Sequence, residues 1–388
     1  MTNIMFKITY KSKISKARLG IITTPHGVIE TPIFMPDATR GAVKHLSGSE
    51  LAKLGLKCLV ANTLHLFLRP GAKLIKRAQG LHSFMNWPGP ILTDSGGYQV
   101  FSLIHKNETR GAINDQGAIF KSPLNGAKLT MTPELSIKTQ FALGADMMVC
   151  FDDCPPNGYN DAKLAISVER TIEWAKRCKR EYDKQIKLLK NNKTGPLLFA
   201  VIQGGNNLKL RRRSAEELIK IGFDGYGFGA RHIDESGNFL TQALEYTADQ
   251  IPENKLRFGL GIGTPEDIIR SIKLGWDMFD CVIPTREGRH GRLFFQKSNF
   301  QFSIFNFQKK GTAFYDTVNI TNAKFAKDFS PINEFSKLQE LRRHSKAYLN
   351  YLFKISEPLA SRLASLNNLE FYLNMISEVK QLIKKNKI

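Results

Sequence analysis

A (β/α)8 TIM barrel with a C-terminal helical appendage is the α/β fold that this sequence predicts, and three observations predict it. Short, β-prone apolar runs alternate with helix-period segments through most of the 388 residues. These strand–helix units outnumber what a small doubly wound sheet needs. Acids, a glutamine or glycines recur directly after the apolar runs, and a barrel gathers its site at the C-terminal ends of its strands. An open α/β sheet is the alternative compatible with the same rhythm.

The units come in order. KCLVANT at 57–63 reads as a strand and leads through a loop to a helical LIKRAQGLHSF. PILTD at 90–94 ends a second strand, and the two glycines of DSGGYQ permit a tight turn after Asp94. ELSIKTQFALG at 134–144 is helical and precedes ADMMVCFDD. AKLAISVERTIEWAKRCKREYDKQIKLL repeats apolar residues at helical spacing and is followed by PLLFAVIQGG. SAEELIKIG, FDGYGFG, LTQALEYTADQ and LRFGLGIG continue the alternation, and PEDIIRSIKLG leads into WDMFDCVIP. The expected division is a barrel over 1–300, capped by N-terminal strands, and a strand and helical region over 301–388 packed onto it.

Hydrophobic residues make up 42% and charged residues 23%, the balance of a soluble globular chain. No run is long and apolar enough to span a bilayer, and MTNIMFKITYKSKISKARLG lacks the apolar core of a secretory signal. Cys58, Cys150, Cys154, Cys178 and Cys281 are scattered and odd in number, which fits a reducing cytoplasm better than a disulfide framework. Lys and Arg total 56 against 35 Asp and Glu, a formal charge of +21 that attracts polyanions. Basic residues recur in KSKISK, in KLRRR at 209–213, in TREGRHGR at 285–292 and in the final KQLIKKNKI. A Lys-rich, AT-biased proteome produces the same composition, so charge alone leaves both explanations open.

The strand ends carry the chemistry. Asp94 follows PILT, Asp152 and Asp153 follow MMVCF, Gln203 follows LLFAVI, and Asp280 follows WDMF. A barrel converges these ends on one pocket, where paired carboxylates can divide the work of nucleophile and general acid/base. A carboxylate nucleophile suits attack at an acetal-like sugar carbon. The competing reading is that these acids cap helices, and Asp146 and Asp277 read as structural acids of that kind.

TPIFMPDATRGAVK at 31–44, ANTLHLFLRPG at 61–71, FMNWPGPILTDSGGYQVFSL at 84–103 and LTMTPELSIKTQFALGAD at 129–146 form the first half of a dispersed pattern. CFDDCP at 150–155, VIQGG at 201–205, FDGYGFG at 223–229 and GIGTPEDIIRSIKLGWDMFDCVIPTREGRHGRLF at 261–294 complete it. In order and spacing, over about residues 5 to 370, the set resembles the tRNA-guanine transglycosylases, also called queuine tRNA-ribosyltransferases. The resemblance implies a cytoplasmic TIM-barrel pentosyltransferase of queuosine biosynthesis that exchanges guanine in tRNA, at the anticodon wobble position, for a free 7-deazaguanine base. That base is preQ1 in bacterial members and queuine in eukaryotic ones. It assigns the nucleophile to Asp280 and the general acid/base to Asp94. The base would lie among Tyr98, Asp152, Gln203, Gly229, Ala230 and Leu260. Arg286, Arg289 and Arg292 would clamp phosphates while the target base turns into the pocket. No cofactor and no membrane enter this scheme, and family members pair as homodimers.

Two departures accompany the resemblance. The family holds a structural zinc with Cys-x-Cys-x2-Cys and a distant His, but here Ser336, Leu338, Leu341 and Asn367 stand at those positions. Leucine cannot ligate zinc, so the expectation is no bound metal, with apolar packing in its place. After FDGY the chain reads GFGARHIDE, with Ala230 for a family glycine, Arg231 and His232 for leucine and alanine, and Glu235 retained. Cations facing an aminomethyl substituent would be unfavourable, so either these side chains point outward or the substrate differs. The remaining alternatives are a paralogue acting on another base or nucleic acid, and a non-catalytic RNA-binding partner subunit. The intact Asp280 argues against the latter.

Overall fold

In a computed structural model of the chain, residues 5–105, 111–156, 158–189, 195–297 and 314–388 are described. Eight parallel strands form the central sheet: β1 (Ile33–Pro36), β2 (Leu59–Ala61), β3 (Ile91–Thr93), β4 (Met147–Val149), β5 (Leu197–Ile202), β6 (Gly225–Phe228), β7 (Leu256–Gly259) and β8 (Met278–Cys281). Their spatial order is β1-β8-β7-β6-β5-β4-β3-β2. A parallel bridge between Asp37 and Val60, with the Ala38 N–H donating to Val60 O at 2.6 Å, joins the two ends into a barrel. The barrel predicted from the sequence is therefore the fold, and the open sheet is excluded.

Alternation along the strands fills the barrel. Met35, Val60, Leu92, Met147, Val149, Phe199, Val201, Phe258 and Met278 form one buried cluster inside it. Phe6, Ile22 and Ile29, from an antiparallel sheet of Phe6–Lys11, Arg18–Thr24 and Gly27–Thr31, belong to the same cluster and plug its lower end. A second cluster fills the layer between strands and surrounding helices. Those helices start where polar side chains supply the missing acceptors. Asn62, Thr132, Asn160, Asn207 and Thr264 each accept a backbone N–H three residues on, and Pro133 and Pro265 follow two of these caps. LIKRAQGLHSF is not one helix. It breaks into Ala72–Arg77 and Leu81–Met85, because Gln79 and Gly80 take positive φ values of 65° and 99°.

Asp146 and Asp277 lie at strand starts, at the end of the barrel opposite the mouth, rather than at helix N-caps. Asp277 meets Arg18 through two hydrogen bonds of 2.8 and 2.6 Å, both partners being buried. Asp146 accepts from Ile91 N at 2.8 Å and bonds His26 at 2.8 Å and His82 at 3.0 Å. Burial pushes its pKa up, but these bonds outweigh burial and hold it below the usual value. Among the described residues, this trio alone brings three potential metal ligands together. The two imidazoles stack 3.5 Å apart at 13°, so their in-plane lone pairs run nearly parallel and no single ion lies in both ring planes. The trio is a hydrogen-bonded staple between the plugging sheet and the barrel floor.

Towards the C-terminus, Arg292–Gln296 pairs with Tyr315–Asn319, and the long helix Pro358–Lys384 packs on Ile283–Arg289, on that hairpin and on β1. The four positions of the family's zinc ligands do not fit a metal. Leu341 is fully buried and Leu338 packs half-buried against the same core, as apolar replacement requires, whereas Ser336 and Asn367 join a polar network. Ser336 Oγ donates to Glu370 Oε2 at 2.5 Å and Lys337 N to Glu370 Oε1 at 2.7 Å. Asn333 donates to Asn367 Oδ1 at 3.0 Å, and Asn367 donates to Phe294 O at 3.0 Å. Hydrogen bonding therefore supplements the apolar packing that the sequence predicts, since Ser and Asn bury only when paired. Among the described residues no helix is long and apolar enough to cross a membrane.

Candidate active site

The C-terminal strand ends bring the predicted residues to one mouth. Asp94 follows β3 directly, and its carboxylate accepts from Asn62 Nδ2 at 2.6 Å, Thr63 N at 3.0 Å and Gly96 N at 3.0 Å. This explains the glycine after it. Gly96 has φ 77°, and a Cβ there would stand 2.9 Å from both the backbone N and the Cβ of Leu64. Burial pushes Asp94 up to about 7, opposed by the N–H of Thr63 and assisted by the charges of Asp37 and Asp280.

Asp280, the third residue of β8, accepts from Gly261 N at 3.0 Å. Burial also carries it to about 7, and the Asp37 charge adds to the rise. Both carboxylates keep part of their surface open to the mouth. Asp37 is a site residue that the sequence reading missed. It follows β1 at the barrel seam, accepts from Thr39 Oγ1 at 2.7 Å and is coupled to both other acids. Burial raises its own pKa, while Thr39 and the Arg289 charge restrain the rise. An acid directly after the apolar run IFMP was the available signal, the same one that singles out Asp94.

The floor of the pocket is polar and buried. Asp152 is buried and accepts from Gln203 Nε2 at 2.7 Å; burial lifts it to about 7, with Gln203 opposing and Asp153 reinforcing the rise. Gln203 is fully buried, yet its Oε1 has no hydrogen-bond partner. A buried acceptor left open beside a carboxylate suits a ligand edge rich in N–H donors. Gly229 allows this arrangement, because a Cβ there would stand 2.5 Å from Gln203 Cδ. Asp153, in contrast, is bound to Arg170 at 2.5 Å and is structural. Leu260 is partly exposed beside the inner cluster, and Tyr98 is 61% exposed on the helix Gly97–His105.

The basic segments separate. Thr285–Arg289 is not a loop but part of the helix Ile283–Arg289, which starts just beyond Asp280. Arg286 and Arg292 are half exposed around Glu287, at 3.4 and 3.8 Å. Arg289 is lowered by burial and by Arg286, with Asp37 opposing. KLRRR is no free phosphate patch. Arg212 pairs with Glu216 at 2.7 Å, Arg213 with Glu169 at 3.0 Å and Glu217 at 2.9 Å, and Arg211 is wholly buried.

GARHIDE resolves in favour of outward side chains. His232 Nε2 lies 3.2 Å from Asp267 Oδ2, at the start of the helix Pro265–Lys273, and Arg231 is exposed. Ala230 has φ 71°, a left-handed conformation that costs an alanine ~1 kcal/mol and a glycine almost nothing.

The family model described as queuine tRNA-ribosyltransferase matches residues 13–388. A protein named queuine tRNA-ribosyltransferase from Caldanaerobacter subterraneus subsp. tengcongensis is 39% identical over all 388 residues, covering 96% of its own length. Relatives of the same name from Halothermothrix orenii and Anoxybacillus flavithermus are 38% and 39% identical, over 99% and 100% of this chain and 95% and 94% of theirs. A barrel whose strand ends gather these carboxylates, matched along nearly its whole length, belongs to the queuine tRNA-ribosyltransferase family, the tRNA-guanine transglycosylases.

Proposed function

We propose that this chain exchanges guanine in tRNA for a free 7-deazaguanine base through a covalent ester on Asp280. The observation that carries the reading is the pair Asp94 and Asp280, on separate strand ends, coupled in one mouth beside a donor-seeking pocket. Asp280 as carboxylate attacks ribose C1′. The C1′–O bond forms as the C1′–N9 bond breaks, and the electron pair passes to N9. Asp94, held near neutrality, delivers a proton to the departing guanine and takes one from the incoming base. That base then attacks C1′, breaks the ester and restores the Asp280 carboxylate.

Recognition follows from the same geometry. Asp152 accepts from the N1–H and amino group of the base, and Gln203 Oε1 gains the donor it lacks. Tyr98 offers an open ring for stacking, and Leu260 a wall. Arg286, Arg289 and Arg292 bind phosphate at the rim, holding C1′ against Asp280. The outward turn of His232 supports an unaltered base pocket. The setting is cytoplasmic, in keeping with five unpaired cysteines.

The test is trapping. Incubated with tRNA and denatured, the wild-type chain should carry covalent RNA and Asp280→Asn none; an equal adduct in the variant would refute the assignment. Incorporation of labelled guanine into tRNA by the wild type separates an exchange enzyme from a binding subunit.

A further inference from the structure

We propose that Arg211 is a positioning residue of the base pocket, its buried guanidinium fixing the Gly229–Ala230 peptide so that the Ala230 N–H faces the ligand. The inference rests on the base-exchange reading above. Arg211 lies on the helix Leu208–Ile221, at 0% exposure, and none of its hydrogen bonds goes to a carboxylate. Its three nitrogens donate to three carbonyls: Nε to Gly205 at 2.6 Å, Nη1 to Ile202 at 3.3 Å and Nη2 to Gly229 at 3.1 Å. The guanidinium also lies over the Phe228 ring, 3.9 Å from its centroid.

A buried cation without a counter-anion is costly, and burial pulls this guanidinium down to about 9. Ordinary surface or helix chemistry gives no reason to keep it. The carbonyls it holds give one. Ile202 and Gly205 flank Gln203, and Gly229 lies against the Gln203 side chain. The same helix also accepts the Gln203 N–H, on Ser214 Oγ at 3.2 Å.

Peptide geometry supplies the link to the ligand. In a trans peptide the C=O and the following N–H point in opposite directions. With the Gly229 carbonyl drawn back onto Arg211, the Ala230 N–H is turned the other way, where it meets the thiol of Cys154 beside Asp152. Ala230 sits in the strained left-handed region, so without a restraint this peptide would relax by rotating. Rotation would replace an inward N–H donor with an inward carbonyl. The pocket would then present the wrong polarity to the acceptor atom of a guanine-like edge.

Calorimetric binding of guanine and of tRNA to the full chain tests this, with melting curves as a control on folding. Arg211→Met keeps the volume and removes the donors. It should weaken guanine at least tenfold while tRNA affinity stays within about twofold. In the Ala230→Gly background the same Arg211→Met change should cost less than threefold, because the left-handed conformation no longer needs the restraint. If Arg211→Met fails to fold, Arg211→Lys replaces it, since lysine keeps the charge but cannot span three carbonyls. Unchanged guanine affinity in a folded variant, or equal losses for guanine and tRNA, would overturn the proposal. Equal losses in the two Ala230 backgrounds would overturn it too. A wild-type chain that binds no guanine would instead count against the base-exchange reading.

Discussion

Replacing Asp280 by asparagine should make the protein more stable while abolishing its chemistry, and the gain should depend on pH in a calculable way. Burial carries this carboxyl from 3.8 to about 7. Between those values the folded chain holds a proton that the unfolded chain has released, so stability falls as pH rises through the window. The loss is complete above about 7 and vanishes below 3.8, where both states are protonated. At 1.36 kcal/mol per tenfold step the full loss is at most ~4 kcal/mol, and water at the open side of the carboxylate reduces it to ~2. Asparagine escapes this cost and can still accept from Gly261 N, now 3.0 Å from Oδ1. Unfolding 388 residues carries ~0.8 kcal/mol per degree near the transition, so the variant should melt ~2–5 °C higher at pH 8. At pH 4.5 the difference should shrink to ~1 °C or less. Scanning calorimetry at both pH values is the assay. A variant that is less stable at pH 8, or equally shifted at both, would show that Asp280 is not held out of its charged state by the fold.

Asp94→Asn should behave differently: its raised pKa offers the same gain of ~2 kcal/mol, but Asn62 already donates to Oδ2, so the new amide opposes donor to donor at a cost of ~1–2 kcal/mol and the net stability change at pH 8 should be near zero. Its turnover should drop by ~10²–10⁴ and lose any inflection near pH 7, with tRNA binding retained; a wild-type pH profile in the variant would remove Asp94 from proton transfer. The C-terminal network should stand without metal: elemental analysis should find no stoichiometric zinc, chelation should leave Tm unchanged, and light scattering should give the mass of two chains. One tightly held zinc whose removal lowers Tm would refute the first point, and a monomer mass the second.

How legible was this in the sequence? The barrel and its mouth were readable because strand ends are marked twice, by an apolar run and by the polar residue that follows it. Asp94, Asp152, Gln203 and Asp280 all carry that double mark. Asp37 carries it too, inside TPIFMPDATRGAVK, but the resemblance assigns that segment no role of its own. Arg211 was hidden by its neighbours, because three consecutive arginines read as one charged run. The signal lay in its period: Leu208, Arg211, Ala215 and Leu218 fall on one helical face, and Arg211, Ala215 and Leu218 are buried. The staple of His26, His82 and Asp146 was out of reach, because residues 120 positions apart meet only once the barrel closes. The outward turn of His232 depends likewise on Asp267, supplied by a later helix.

The ion pairs around KLRRR change what the formal charge means. Arg177, Lys179, Arg212, Arg213 and Lys220 are each matched by a nearby carboxylate of Glu134, Asp183, Glu216, Glu169 or Glu217. The pairs mute the field locally, yet the helices Asp161–Leu188 and Leu208–Ile221 still carry 13 basic against 7 acidic residues, so this flank shares in the excess of +21. A charge spread over the molecule in this way draws it towards a polyanion before any contact forms. The encounter rate should therefore fall with ionic strength even where the chemistry at the barrel mouth does not.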